Sequence, residues 1–123
     1  MTKGGIERRR APRAAAELPI QLQRPAGGDG ALHVQPATLK DISANGLCCA
    51  LGQPMQEMTL VKLDLPLPNE TSTISVSGVV VRCDKIRGVP TPTYEIGVYF
   101  HDLDSAGRTR IERFVQDRLA VQN

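Results

Sequence analysis

A chain of 123 residues with a formal charge of only +2 suits one compact domain and excludes the broad basic field of a general nucleic-acid coater. Aromatic residues make up 3% of it and tryptophan is absent, which leaves few platforms on which single-stranded bases could stack. No apolar run approaches the roughly 20 residues that span a bilayer, and the opening Met1-Thr2-Lys3-Gly4-Gly5-Ile6 lacks the apolar stretch of a secretory signal.

Residues 1–13 are polar and arginine-rich, with Arg8, Arg9, Arg10 and Arg13 crowded together. Nothing in them can enter a core, so they read as an arm that is flexible without a ligand, followed by a domain over 14–121. From residue 17 the pattern becomes strand alternation, with Leu18, Ile20 and Leu22 on one face. Pro19 inside that run predicts an edge strand or a strand start. Residues 25–30, Pro-Ala-Gly-Gly-Asp-Gly, form a turn by composition. A second strand over 32–42 is interrupted by Pro36, which predicts a bulge or an edge.

Asp41-Ile42-Ser43-Ala44-Asn45-Gly46 is a tight turn, in which Asp and Ser bond locally to the backbone while Asn45 and Gly46 tolerate positive φ. Strands follow over 46–51 and 59–65, the latter with Leu60, Lys62 and Asp64 opposed to Val61, Leu63 and Leu65. In the longest strand, 73–83, Ile74, Val76, Gly78 and Val80 share one face and Val79, Val81 and Cys83 the other. A last strand covers 94–100. Asp104 or Ser105 then caps a helix whose Ile111, Phe114, Val115 and Leu119 make one apolar stripe. Six or so short strands between Gly/Pro turns, followed by one amphipathic helix, predict a mostly β protein, a small antiparallel barrel that the helix plugs or flanks.

The chemistry is sparse. His33 and His101 have no nucleophile or acid beside them in any familiar arrangement, Ser43 lies in no G-x-S-x-G elbow, and a phosphate-binding Walker loop is missing. Cys48, Cys49 and Cys83 have no metal-ligand spacing, and adjacent strand residues point to opposite faces. The expectation is a non-enzyme without metal or cofactor, its thiols reduced in the cytoplasm.

Arginine is what stands out. Its planar guanidinium matches a phosphate and the O6/N7 edge of guanine, and its flat face can stack on a base. Asp41 can accept from guanine N1–H and N2–H, Ser43 can bond a base or phosphate, and Gly46 removes a Cβ that would hold a ligand off the turn. These groups suit a guanine nucleotide.

Arg9-Arg10-Ala11-Pro12-Arg13 supplies an RxxxR spacing and Asp41 to Gly46 a D-x-S-x-x-G turn. In this order, with strands between and after them, the chain resembles the PilZ domain family, receptors for the bacterial second messenger cyclic di-GMP. The resemblance covers most of the chain. It implies a six-stranded antiparallel β-barrel with a C-terminal helix, in which Arg9 and Arg13 bind guanine and phosphate, Asp41 and Ser43 hold a guanine edge, and Gly46 leaves room for it. Gly97 would line the floor. Arg8, just before the first motif, goes in that family with an intercalated cyclic di-GMP dimer and so implies two ligands per protomer. The implied role is an adaptor, a monomer or weak dimer that acts on a protein partner, with neither nucleic acid nor membrane insertion. Two alternatives are a PilZ-like protein-interaction module without ligand and a nucleic-acid-binding barrel.

Overall fold

Period-two alternation builds the walls. In β4 (Leu60–Leu65) Val61, Leu63 and Leu65 are buried while Leu60 and Lys62 face outward, as half-buried strands require. The computed structural model describes residues 11–25, 32–68 and 72–122. With β4 stand β1 (Arg13–Pro25), β2 (Leu32–Ser43), β3 (Gly46–Leu51), β5 (Ile74–Lys85), β6 (Tyr94–Asp102) and the helix α1 (Ser105–Gln122). The six strands pair antiparallel and close into a barrel in the order β1-β2-β3-β6-β5-β4. This is the expected fold, a six-stranded antiparallel barrel with a C-terminal helix.

Closure corrects the expectation of an edge at Pro19 and Pro36, because a closed barrel has no edge strand. Both prolines nonetheless sit where only one neighbour is bonded. β1 pairs with β4 only at Gln21, Leu22 and Gln23, beyond Pro19. β2 pairs with β3 only from Thr38 onward, beyond Pro36. Neither missing N–H is needed by a second ladder.

A second correction concerns Cys83. Alternation along β5 puts it outside with Val79 and Val81, but it is half-buried and packs on the core. The β5–β6 register slips between Val80, opposite Val98, and Arg82, opposite Gly97. Val81 is therefore the extra residue of a β-bulge, and everything after it exchanges faces.

Leu22, Leu39, Leu63, Ile96 and Ile111 are fully buried, so the barrel interior is filled by aliphatic side chains rather than being a pore. α1 lies against β1 and β2 through Ile111, Phe114 and Val115, with Leu119 partly buried beside them. It flanks the barrel. Asp104 rather than Ser105 is its cap: Asp104 Oδ1 accepts from the Gly107 N–H at 2.7 Å, satisfying one of the donors that a helix start leaves free.

Candidate ligand site

Four residues in cross-strand register define the site. Asp41 of β2 pairs with Cys48 of β3, Cys48 with Gly97 of β6, and Gly97 with Arg82 of β5. Directly paired residues share a face, so these form one row across the outside of the barrel. Beside it Gly46 pairs with Tyr99. The middle of the patch is made of small side chains, and what results is an open depression of about 330 Å³ lined by Arg13, Asp41, Gly46, Cys48, Arg82, Gly97 and Tyr99 among others.

Arg13 and Asp41 form one wall. Arg13 Nε and Nη2 both donate to Asp41 Oδ1, at 2.8 and 2.7 Å. Sequence reading put Arg13 on the arm. It is instead the first residue of β1, paired with Ser43, and so belongs to the barrel. Arg8 and Arg9, with the rest of residues 1–10, lie outside the described residues.

Ser43 stands behind the wall rather than in it. It is 1% exposed and its hydroxyl is committed to the turn. Ser43 Oγ accepts from the Asn45 N–H at 3.1 Å and from Arg13 Nη1 at 3.4 Å, and donates to the Gly46 carbonyl at 3.4 Å. In this conformation it shapes the turn and steadies Arg13. The turn is fastened on two more sides. The Phe100 N–H donates to the Asn45 carbonyl at 2.9 Å, and Arg108 Nη2 of α1 donates to Asn45 Oδ1 at 3.2 Å.

Gly46 is required for a reason the sequence reading missed. Among the described residues positive φ occurs at Met58 and Gly88, so neither Asn45 nor Gly46 uses the left-handed region. A Cβ on Gly46 would instead run into the Val98 carbonyl oxygen of β6. The glycine permits two strands to approach, and the low floor of the depression follows from that. Gly97 also lines the depression.

The floor is uncharged. Burial, then the nearby Asp41 and Glu95 carboxylates, push the Cys48 thiol up, partly offset by Arg82. Cys49, turned into the core, is pushed up to about 12 by burial. On the far wall the hydrogen bond to Asp84 raises Arg82 further above its already high value. Among the described residues no group of His, Cys, Asp and Glu could hold a metal ion, and no helix is long and apolar enough to cross a membrane.

Arg82 and Tyr99 are among the lining residues that the sequence reading did not place at a site. Tyr99 was legible: it stands two residues beyond Gly97, so alternation puts both on one face, and it is 55% exposed. Arg82 was not, because strict alternation from Val80 would bury it.

The PilZ domain family model matches residues 7–117. No curated protein matches the sequence. Among solved structures, the Bacillus subtilis inhibitor of motility, MotI/DgrA, is similar with a TM-score of 0.74 at 19% identity, over 94% of this chain and 53% of that one. The PilZ domain of YcgR from Escherichia coli, solved with c-di-GMP, gives 0.69 at 15% identity over 94% of each. The K. pneumonia MrkH–c-di-GMP complex gives 0.67 at 20% identity, over 91% of this chain and 52% of that one. The chain thus spans about half the length of MotI and MrkH and nearly all of the YcgR domain. At these identities the likeness is one of fold, and it is the match over residues 7–117 that assigns the chain to the PilZ domain family.

Proposed function

We propose that this protein is a non-enzymatic receptor for cyclic di-GMP, bound over the depression between Arg13–Asp41 and Arg82. The observation that carries the reading is the meeting of the two motifs. Arg13, the last residue of RxxxR, is hydrogen-bonded to Asp41, the first of D-x-S-x-x-G, beside a floor of small residues. Two similar structures, those of YcgR and MrkH, were solved with c-di-GMP.

Asp41 offers a carboxylate to guanine N–H donors, and Arg13 a guanidinium to phosphate or to the O6/N7 edge. Arg9 and Arg8 would close over the ligand from the arm, and Arg8 would hold the second molecule of an intercalated dimer. Closure of residues 1–10 over the ligand would change the charge and contour of this barrel face, and with them the affinity for a protein partner. The ligand can shift that equilibrium only by its differential affinity for the two states.

Calorimetric titration with cyclic di-GMP, GTP and linear pGpG tests the proposal. Expected are a dissociation constant of about micromolar or tighter for the cyclic dinucleotide and binding at least about tenfold weaker for the other two. Arg9→Ala, Arg13→Ala and Asp41→Ala should each weaken it greatly. Equal affinity for all three ligands, or none for any, refutes the proposal. MrkH is described as a c-di-GMP-dependent transcription regulatory factor, so a duplex DNA titration belongs beside them. Steeply salt-dependent DNA binding would favour the nucleic-acid alternative.

A further inference from the structure

β5 alternates regularly as far as Val80: Ile74, Val76 and Val80 are buried. Continued alternation would bury the residue two further on, Arg82. The bulge at Val81 prevents this, since the partner of Arg82 is Gly97 where the partner of Val80 is Val98. Bulges recur beside functional sites because they re-aim a side chain. Here the bulge delivers a guanidinium to the outer face.

Once outside, Arg82 is pinned. Its Nη1 pairs with Asp84 at 2.6 Å, and its Nη2 donates towards Cys48 Sγ at 3.8 Å. Its Nε and Nη2 lie 3.4 and 3.6 Å from where a Gly97 Cβ would stand, so the guanidinium rests along the bare backbone of β6. The side chain is nevertheless 49% exposed. It ends the row that begins at Asp41, three strand spacings or roughly 14 Å away.

We propose that Arg82 is a further ligand contact, a guanidinium plane supplied by the barrel itself on which a guanine base of the bound nucleotide stacks, opposite the base edge held by Asp41. The inference rests on reading the depression as a cyclic di-GMP site. Stacking is the role that suits Arg82 because Asp84 and Cys48 hold Nη1 and Nη2 in place, while the side chain stays 49% exposed. A guanidinium plane stacks on a base as an aromatic ring does, which suits a chain poor in aromatics. Being held before the ligand arrives, the side chain loses little freedom on binding.

Calorimetry with cyclic di-GMP on the wild type, Arg13→Ala, Arg82→Ala and Arg82→Lys tests this. Arg82→Ala should raise the dissociation constant about tenfold, and Arg82→Lys nearly as much, because an ammonium keeps the charge but has no plane. Affinity within about twofold of wild type in Arg82→Ala, or full recovery in Arg82→Lys, overturns the stacking role. The two readings fail distinguishably. A wild type that does not bind removes both, whereas a wild type that binds, with Arg13→Ala defective and Arg82→Ala intact, removes only this one. Arg82 is half-exposed and outside the core, so equal thermal midpoints should accompany any change in affinity.

Discussion

Arg13 reaches Asp41, 28 residues away in sequence, with Nε and Nη2 converging on the single oxygen Oδ1 at 2.8 and 2.7 Å. The pair joins the two motifs while leaving its own groups accessible, at 48% and 36% side-chain exposure. An exposed ion pair of this kind contributes about 0–1 kcal/mol, whereas a hydrogen bond to a charged group shielded from water contributes about 1.5–3 kcal/mol. A ligand can therefore displace or share it at small cost.

Stability and binding should separate at this pair. Arg13→Ala and Asp41→Ala are each expected to change the unfolding free energy by less than about 1 kcal/mol while weakening cyclic di-GMP binding at least about tenfold. Chemical denaturation and calorimetry on the same preparations measure both. A large loss of stability with binding intact would assign the pair to folding alone.

Gly46 should behave oppositely. Its missing Cβ accommodates the Val98 carbonyl, and backbone on an adjacent strand cannot turn aside as a flexible side chain can. Gly46→Ala is expected to cost about 3 kcal/mol or more, at the upper end of overpacking effects. Thermal melting checks this, and an unchanged midpoint would mean that the β3–β6 ladder yields easily.

Asp104 caps α1 through the Gly107 N–H. Asp104→Ala should cost about 1 kcal/mol and Asp104→Ser much less. Urea denaturation of the two variants makes the comparison, and equal losses would show that the carboxylate's charge matters more than its hydrogen bond.

Cys49 gives a pH dependence. Burial pushes its thiol up to about 12, whereas in the unfolded chain a thiol ionises near about 8.5. The folded state keeps the proton longer, so this contribution is complete below the unfolded value and is lost as pH rises towards the folded one. The stability gap between wild type and Cys49→Ala should narrow from about pH 8 upward. Thermal melts across that range measure it, and a constant gap would show the thiol to be uncoupled from folding.

The proposed role of Arg8 is tested by stoichiometry. The wild type is expected to bind two cyclic di-GMP molecules per protomer and Arg8→Ala one, as read from calorimetric inflection points. A wild-type ratio of one would exclude the intercalated dimer.

Most of the barrel was legible because burial imposes a period of two on each strand. Val61, Leu63 and Leu65 declared β4, and Asp104 ahead of the Ile111–Phe114–Val115 stripe declared α1. Local chemistry likewise brought forward Arg13, Asp41 and Gly46, since their residue types carry the argument wherever the chain puts them. What escaped depended on partners distant in sequence. The need for Gly46 is set by the Val98 carbonyl, and the committed hydroxyl of Ser43 by the turn it closes and by Arg13.

Arg82 marks the limit most clearly. The sequence by itself determined a β5 rich in alternating aliphatics, and on that pattern Arg82 faces the core. Only the pairing with β6 decided otherwise, because a bulge is a mismatch in residue count between two strands and leaves no mark on either one alone. Alternation is a property of one strand and can be read from its residues. Register is a property of two, and it is the register that carries Arg82 to Gly97 and completes the wall facing Asp41.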